Sequence, residues 1–268
     1  MHTVNKISNW DIRVDIQTDK PCELYVDTFP SGPKECLRVL WSVEPNEISG
    51  LRDIVINRHE EFDLILTWHK EVLDSCPNAR LFPHGMSWIL DFDLTNEKEY
   101  CVTSIVGGKR LTPNQIVRQE LATVTDQVTS VPLHLFNSRN NPYTGEPTID
   151  RVMQDGDRKN ELFYSQYHIA IENVSQPNYF SEKLVDCFQT NTVPIYLGCP
   201  NIEDFFDVRG MFIVNTLEDI VNVCNSITPE TYNQMLPYVQ ENYEKSIKYA
   251  KFRETLRDEV IEFVKNSN

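Results

Sequence analysis

The chain has 268 residues, of which 40% are hydrophobic and 24% charged, with a formal net charge of -15 at pH 7. That is enough apolar material for a sizeable core in one large domain or two smaller ones, and two fits the pattern below better. So acidic a chain lacks the basic face that nucleic acid or an anionic membrane surface requires, so any phosphate site has to be local. The seven cysteines (22, 36, 76, 101, 187, 199 and 224) are odd in number, scattered and without zinc spacing, which reads as free thiols in a reducing compartment. No apolar run reaches the roughly 18 residues of a membrane span, and the N-terminus MHTVNKISNWD has no apolar signal core. A soluble, cytoplasmic protein is expected, in which the sequon Asn173-Val174-Ser175 is accidental.

Taken in order, residues 10–27 contain two short strand patterns, DIRVDI and CELYVDTF, and residues 37–43 a stronger one that stops at Glu44, Pro45 and Asn46. A strand ending at a carboxylate before proline puts that carboxylate on the carboxyl edge of a sheet, where ligands bind in open α/β folds. Glu44 is therefore a catalytic candidate, although an acidic residue before a turn is commonly just solvated. A helix over 51–59, a strand over 62–67, a short helix over 69–74 and a strand over 79–82 complete a βαβαβ pattern, one Rossmann-like half. The crossing PHGMSW (83–88) carries Trp88, which either lines a sugar site or, the commoner role, packs a domain interface. Asp91-Phe92-Asp93 and Asp155-Gly156-Asp157 have the alternating carboxylates of a metal and diphosphate motif. Such pairs arise by chance on polar segments, so no metal is expected.

The second half opens with a strand over 101–106 that runs into Gly107, Gly108 and Lys109. Glycines there let backbone approach a ligand, and Lys109 is placed to reach phosphate. A helix over 113–124 carries Arg118, a second candidate cation. Residues 132–157, rich in Asn, Pro, Gly, Asp and Ser, read as one long mobile loop of the kind that is functional in compact enzymes. Arg158 and Lys159 then open a short helix over 160–165, as a solvated start or a diphosphate contact.

Next come an alternating strand at 168–171, a turn at 175–178, helical spacing of Leu184, Val185 and Phe188 over 182–189, and an apolar run at 193–197 closed by Gly198. In such a βαβ unit the helix N-terminus faces the carboxyl ends of the strands and makes an anion site. Lys183 lies in the first helical turn, where the dipole disfavours a cation by a few tenths to about 1 kcal/mol, so a negative partner accounts for it. Glu182 beside it offers two acceptor oxygens that fit a ribose diol, whereas an isolated Glu-Lys pair would simply be solvated. A segment at 202–206, a strand over 211–214, helices over 217–224 and 229–236, and a long charged amphipathic helix over 238–265 complete the half.

Glu172-Asn173, then Tyr179-Phe180-Ser181-Glu182-Lys183, then Val193-Pro194-Ile195-Tyr196-Leu197-Gly198 resemble the signature of the α-1,3-fucosyltransferase family, glycosyltransferase family 10, which reads F-E-N, Y-[IV]-T-E-K, [VI]-P-[VI]-x-x-G. LWSVEPNEISGLRDI resembles the family's N-F-E-S-P and later G-L-R, with Gly50-Leu51-Arg52 as the second part. The resemblance covers residues 37–56 and 100–225. It implies a GT-B fold of two Rossmann-like α/β domains with a cleft between them: an acceptor-side domain over 1–97 and a nucleotide-sugar domain over 98–268 whose terminal helix crosses back. It also implies metal-independent, inverting transfer of fucose from GDP-fucose to a hydroxyl of an oligosaccharide or glycoprotein glycan. Glu44 would be the base, and Lys183, Glu182, Tyr179, Ser181, Asn173, Glu172, Arg158, Lys109 and Arg118 would surround the donor. Golgi members carry a membrane anchor, so this pattern points to a short soluble microbial or viral form. The loop over 132–157 departs most from the family. A related transferase with another donor, such as UDP-xylose, and a glycan- or nucleotide-sugar-binding protein without turnover therefore stay open.

Overall fold

The computed structural model describes residues 1–8, 12–89, 91–153 and 159–267 and contains two compact units. One comprises Met1–His84, Pro177–Tyr179 and Lys251–Asn268, the other Gly85–Gln176 and Phe180–Ala250.

The first unit holds strands β1 (His2–Thr3), β2 (Asn5–Ser8), β3 (Gln17–Thr18), β4 (Cys22–Val26), β5 (Leu37–Ser42), β6 (Leu64–Thr67) and β7 (Ala79–Leu81), and helices α1 (Asn46–Ser49), α2 (Arg52–Asn57) and α3 (Lys70–Ser75). β1 and β3 pair antiparallel, and the other five form a parallel sheet in the order β2-β4-β5-β6-β7. Tyr25, Leu40 and Ile65 pack on one face with Val55 of α2, Val72 of α3 and Phe62. The alternate residues Leu24, Val26, Val39, Trp41, Leu64 and Leu66 point the other way and are equally buried. Burial on both faces is why these strands read as apolar runs. The expected strand over DIRVDI is not one: Ile12, Val14 and Ile16 are buried, as the alternation implies, but β2 takes the sheet position beside β4.

The second unit holds β8 (Glu99–Val106), α4 (Pro113–Glu120), β9 (Leu133–Asn137), β10 (Ser165–Ile171), α5 (Glu182–Gln189), β11 (Val193–Leu197), β12 (Phe212–Ile213), α6 (Leu217–Ser226) and α7 (Pro229–Ala250). Its sheet is parallel, in the order β12-β11-β10-β8-β9. After β8 the chain steps outward to β9, then returns to the other side of β8 for β10. The strand order therefore reverses between β8 and β10, and the carboxyl ends of those strands flank a crevice of the kind in which doubly wound sheets bind ligands.

Three local expectations change. β9 lies inside the stretch expected to be loop, because LHLFN is short and only partly apolar. The helix over 160–165 is a single 3-10 turn, Asn160–Tyr164. The two C-terminal helices are divided elsewhere: α7 runs through Pro237 and ends at Ala250, and α8 (Phe252–Asn266) belongs to the first unit. The backbone bond that Pro237 forgoes is offset by tertiary contacts of α7. Asn242 accepts from Asp207 N–H (2.7 Å) and donates to Asp207 O (2.8 Å), and Gln189 Nε2 donates to Ser246 Oγ (2.7 Å). α8 buries Phe252, Leu256, Val260 and Val264 at four-residue spacing, and Phe252 stacks on Trp41 with centroids 5.8 Å apart. All seven cysteines are free. Among the described residues no helix is long and apolar enough to cross a membrane.

Candidate functional site

The first turn of α5 is assembled from the end of β10. Ser181 is the N-cap, its hydroxyl accepting from Lys183 N–H (3.4 Å). Glu172, fully buried, accepts from Ser181 N–H (2.8 Å) and from Ser181 Oγ (2.6 Å). Gly198 leaves room for it, since a Cβ there would lie 2.6 Å from Glu172 Cγ. Leu184, Val185 and Phe188 bury the inner face of α5, and Asn191, with φ 54°, turns the chain just beyond its end.

The charges on this turn are shared. Glu182 Oε1 accepts from both Lys159 Nζ and Lys183 Nζ at 3.0 Å, and Lys183 Nζ lies 3.8 Å from Glu172 Oε2 and 3.1 Å from Ser181 Oγ. Burial pushes the Glu182 carboxyl up, but Lys159 and Lys183 overcome it and hold the group well below the usual carboxylate range. Burial raises Glu172, against the pull of Lys183. A dianion arriving here meets two lysines already desolvated and held in place, so little further ordering is needed to bind it.

A cavity of about 330 Å³ opens beside this turn at the β8–β10 crevice, within the usual size range of small-ligand sites. Its lining combines Lys159, Glu182 and Lys183 with Asn173 after β10, Gly107 and Lys109 after β8, Arg118 of α4, Ser138 to Asn141 after β9, and Trp88. Among the described residues five cationic side chains and one carboxylate line it, in a chain of formal charge -15. Arg118 donates to Ile171 O (2.5 Å) and Asn173 Oδ1 (3.3 Å), tying α4 to the end of β10. Gln119 Nε2 donates to Gly107 O (2.9 Å) and Lys109 O (3.3 Å), fixing the loop after β8.

Of the donor-side candidates, the structure gathers Lys183, Glu182, Asn173, Lys109 and Arg118 around this cavity. Glu172 and Ser181 stand behind it, buried in the cap of α5. Tyr179 is elsewhere: it belongs to the first unit, 2% exposed, its ring 4.6 Å from that of Trp68. Arg158 and Asp155 to Asp157 lie outside the described residues. Gly108 serves the protein itself, since its N–H donates to Asn141 O (2.8 Å) and a Cβ there would meet Pro142 O at 2.5 Å. Sequence reasoning missed Ser138 to Asn141 and Asp186. The signal for the first group was the SRNN run directly after LHLFN.

Glu44 follows β5 in the first unit, half-buried. Asp27, at φ 46° after β4, accepts from Val43 N–H (2.8 Å) and Glu44 N–H (3.1 Å), while His69 Nε2 donates to Glu44 O (3.2 Å) and Trp68 Nε1 to Val43 O (2.7 Å). Burial raises Asp27 to about 6 and lowers His69 to about 4. The backbone carrying Glu44 is thus clamped from three side chains.

Asp93 is a turn residue, accepting from Thr95 N–H (2.9 Å) and Thr95 Oγ1 (2.7 Å). Among the described residues Glu99, Cys101 and His134 bring ligand atoms within 4.8 Å of one another, but the positive charge of Arg151 acts on both Cys101 and His134 and opposes a cation there.

No family model matches the chain. The fold is that of GT-B glycosyltransferases, two parallel α/β sheets with flanking helices. A crystal structure of an α1,3-fucosyltransferase with GDP aligns over 91% of this chain and 78% of its own, at 13% identity and a TM-score of 0.52. The pneumococcal O-GlcNAc transferase GtfA, solved with UDP and GlcNAc, aligns over 91% and 57% respectively, at 10% identity and a TM-score of 0.56. In sequence the chain is similar to fucosyltransferases. It is 30% identical over 98 residues to a fucosyltransferase-like protein of Arabidopsis thaliana, and 26% identical over 80 residues to the α-(1,3)-fucosyltransferase FucT of Helicobacter pylori. These stretches are 34% and 29% of this chain, and only 19% and 17% of the two relatives.

Proposed function

We propose that the protein is a glycosyltransferase that binds a nucleoside diphosphate sugar at the carboxyl ends of β8 and β10 and transfers the sugar, with inversion, to a hydroxyl of a glycan. The observation that carries this is the cavity itself: a concentration of cations, opening on a helix N-terminus at the point where the strand order reverses, in a strongly acidic chain. Lys183, Lys159 and the first N–H groups of α5 take the diphosphate, and they stabilise charge on the departing nucleotide without a metal. Arg118 and Lys109 line the same cavity. Glu44 is the base that takes the proton of the acceptor hydroxyl, a role its clamped position at the end of a strand suits.

The donor is GDP-fucose, on the strength of the sequence similarity to fucosyltransferases, since the fold is equally that of an enzyme solved with UDP. A thermal-shift panel of GDP, UDP and CMP with their sugars tests this, because a ligand at 100 times its Kd adds about 2.7 kcal/mol. Stabilisation by GDP and GDP-fucose above the others, with slow hydrolysis of GDP-fucose, is the expected result. Stabilisation by UDP alone replaces the donor, and binding without any hydrolysis or transfer reduces the protein to a binder.

A further inference from the structure

Asp186 lies one turn beyond Glu182 on α5 and is fully buried. Its Oδ1 accepts from Ser87 Oγ (2.8 Å) and from Trp88 N–H (3.0 Å), and Ser87 Oγ accepts in turn from Ile89 N–H (3.2 Å). Among the described residues its Oδ2 is buried with no hydrogen-bond partner. Trp88 itself is 40% exposed on the cavity wall, with Lys159 Nζ 5.4 Å from its ring centroid. The residue that a Pro/Gly crossing would ordinarily pack away is thus held open beside the cations.

Resting on the donor-site reading above, we propose that Trp88 is the face on which a ring of the bound donor stacks, and that Asp186 is the positioning residue that holds it there. Two arguments support this. An indole offers a large flat apolar face and gains most when a second ring covers it, and among the described residues Trp88 is the one aromatic side chain lining the cavity, beside the apolar Ile105 and Met153. A fully buried carboxylate is costly to keep even with the charge of Lys159 nearby, and its Oδ1 ties the backbone of Trp88 to the helix that carries Glu182 and Lys183. The stacking wall and the phosphate-binding turn then share one rigid element. Burial raises the Asp186 carboxyl to about 7, consistent with an acceptor held in place at some expense.

The stacked ring is either the nucleobase or the sugar, and two ligands separate them. Titration calorimetry of Trp88→Ala with GDP and with GDP-fucose should show Kd raised by about five- to a hundredfold, with Trp88→Phe largely retaining affinity. Loss with both ligands assigns the base; loss with GDP-fucose alone assigns the sugar. Asp186→Leu should weaken binding to the same degree, and Asp186→Asn, which keeps the acceptor, should bind nearly as wild type. Because Asp186 acts through Trp88, the Asp186→Leu, Trp88→Ala double variant should bind no worse than Trp88→Ala alone. Should Asp186→Leu fail to fold, Ser87→Ala supplies the same cycle. Wild-type affinity of Trp88→Ala for both ligands, or fully additive losses in the cycle, overturns the proposal. A wild-type protein that binds neither GDP nor GDP-fucose overturns the donor site beneath it.

Discussion

Replacing Lys183 with alanine tests the anion site where it is most exposed to failure. Lys183 Nζ is 3.0 Å from Glu182 Oε1 and 3.8 Å from Glu172 Oε2, with the side chain 16% exposed. In the unliganded protein it offsets two carboxylates, and in the complex it takes up a phosphate. Its removal costs a charge-assisted contact worth roughly 1.5 to 3 kcal/mol, so GDP affinity should fall by about 10- to 150-fold. Glu182 is then left to Lys159, and its charge turns toward the incoming dianion, which places the expected loss in the upper part of that range. Calorimetry reads the loss directly. In a thermal shift, GDP at 100 times the wild-type Kd should give wild type about 2.7 kcal/mol, while a variant weakened about 100-fold receives about 0.4 kcal/mol at the same concentration. Unchanged GDP affinity in Lys183→Ala would remove the residue from the site and refute the reading of α5 as a phosphate-binding helix.

Glu44→Gln keeps the shape of the side chain but cannot accept a proton, so transfer should drop by about 10² to 10⁴ while donor affinity, measured alongside, hardly moves; wild-type turnover would place the base elsewhere. Chelation with EDTA should leave transfer intact, and a metal requirement would return attention to Asp91 and Asp93. The third test concerns Asp186, whose carboxyl burial raises from 3.8 to about 7. The folded chain therefore holds a proton that the unfolded chain releases between those values, and stability declines as pH rises from about 4 to about 7, then levels off. Asp186→Asn has no such proton, so its Tm relative to wild type should climb across that window; a difference independent of pH would show that Asp186 is ionised throughout.

In the second unit β10, α5 and β11 were legible because they carry their signals locally. Alternation ends at Ile171, Ser181 caps the helix, and Gly198 closes the following strand. The cations were legible for the same reason, since Lys183 against the dipole is an anomaly visible in the sequence alone. Adjacency in a motif is not adjacency in space: Tyr179 stands two residues before the cap, yet packs on Trp68 in the other unit. Asp186 was invisible because its partners, Ser87 and Trp88, are about a hundred residues away in the chain, and nothing local distinguishes it from a solvated helix acid. Pro237 pointed to a helix boundary that tertiary packing overrode, with the break falling at Lys251 instead.

The stacking of Phe252 on Trp41 also has a bearing on how the chain is made. Strands β2 to β7 have all been synthesised by residue 81, but the helix that lies against Trp41 begins at residue 252. At about 5–20 residues per second, a ribosome needs on the order of ten seconds or more to bridge that interval. Throughout it the sheet has Phe82 and His84 against Trp41 but lacks the helix that stacks on it, and the entire second unit emerges in the meantime. Holdase chaperones and neighbouring nascent chains compete for such a surface. Yield on expression should accordingly respond to chaperone supply and to translation speed downstream of residue 81 more than to any change in the finished core.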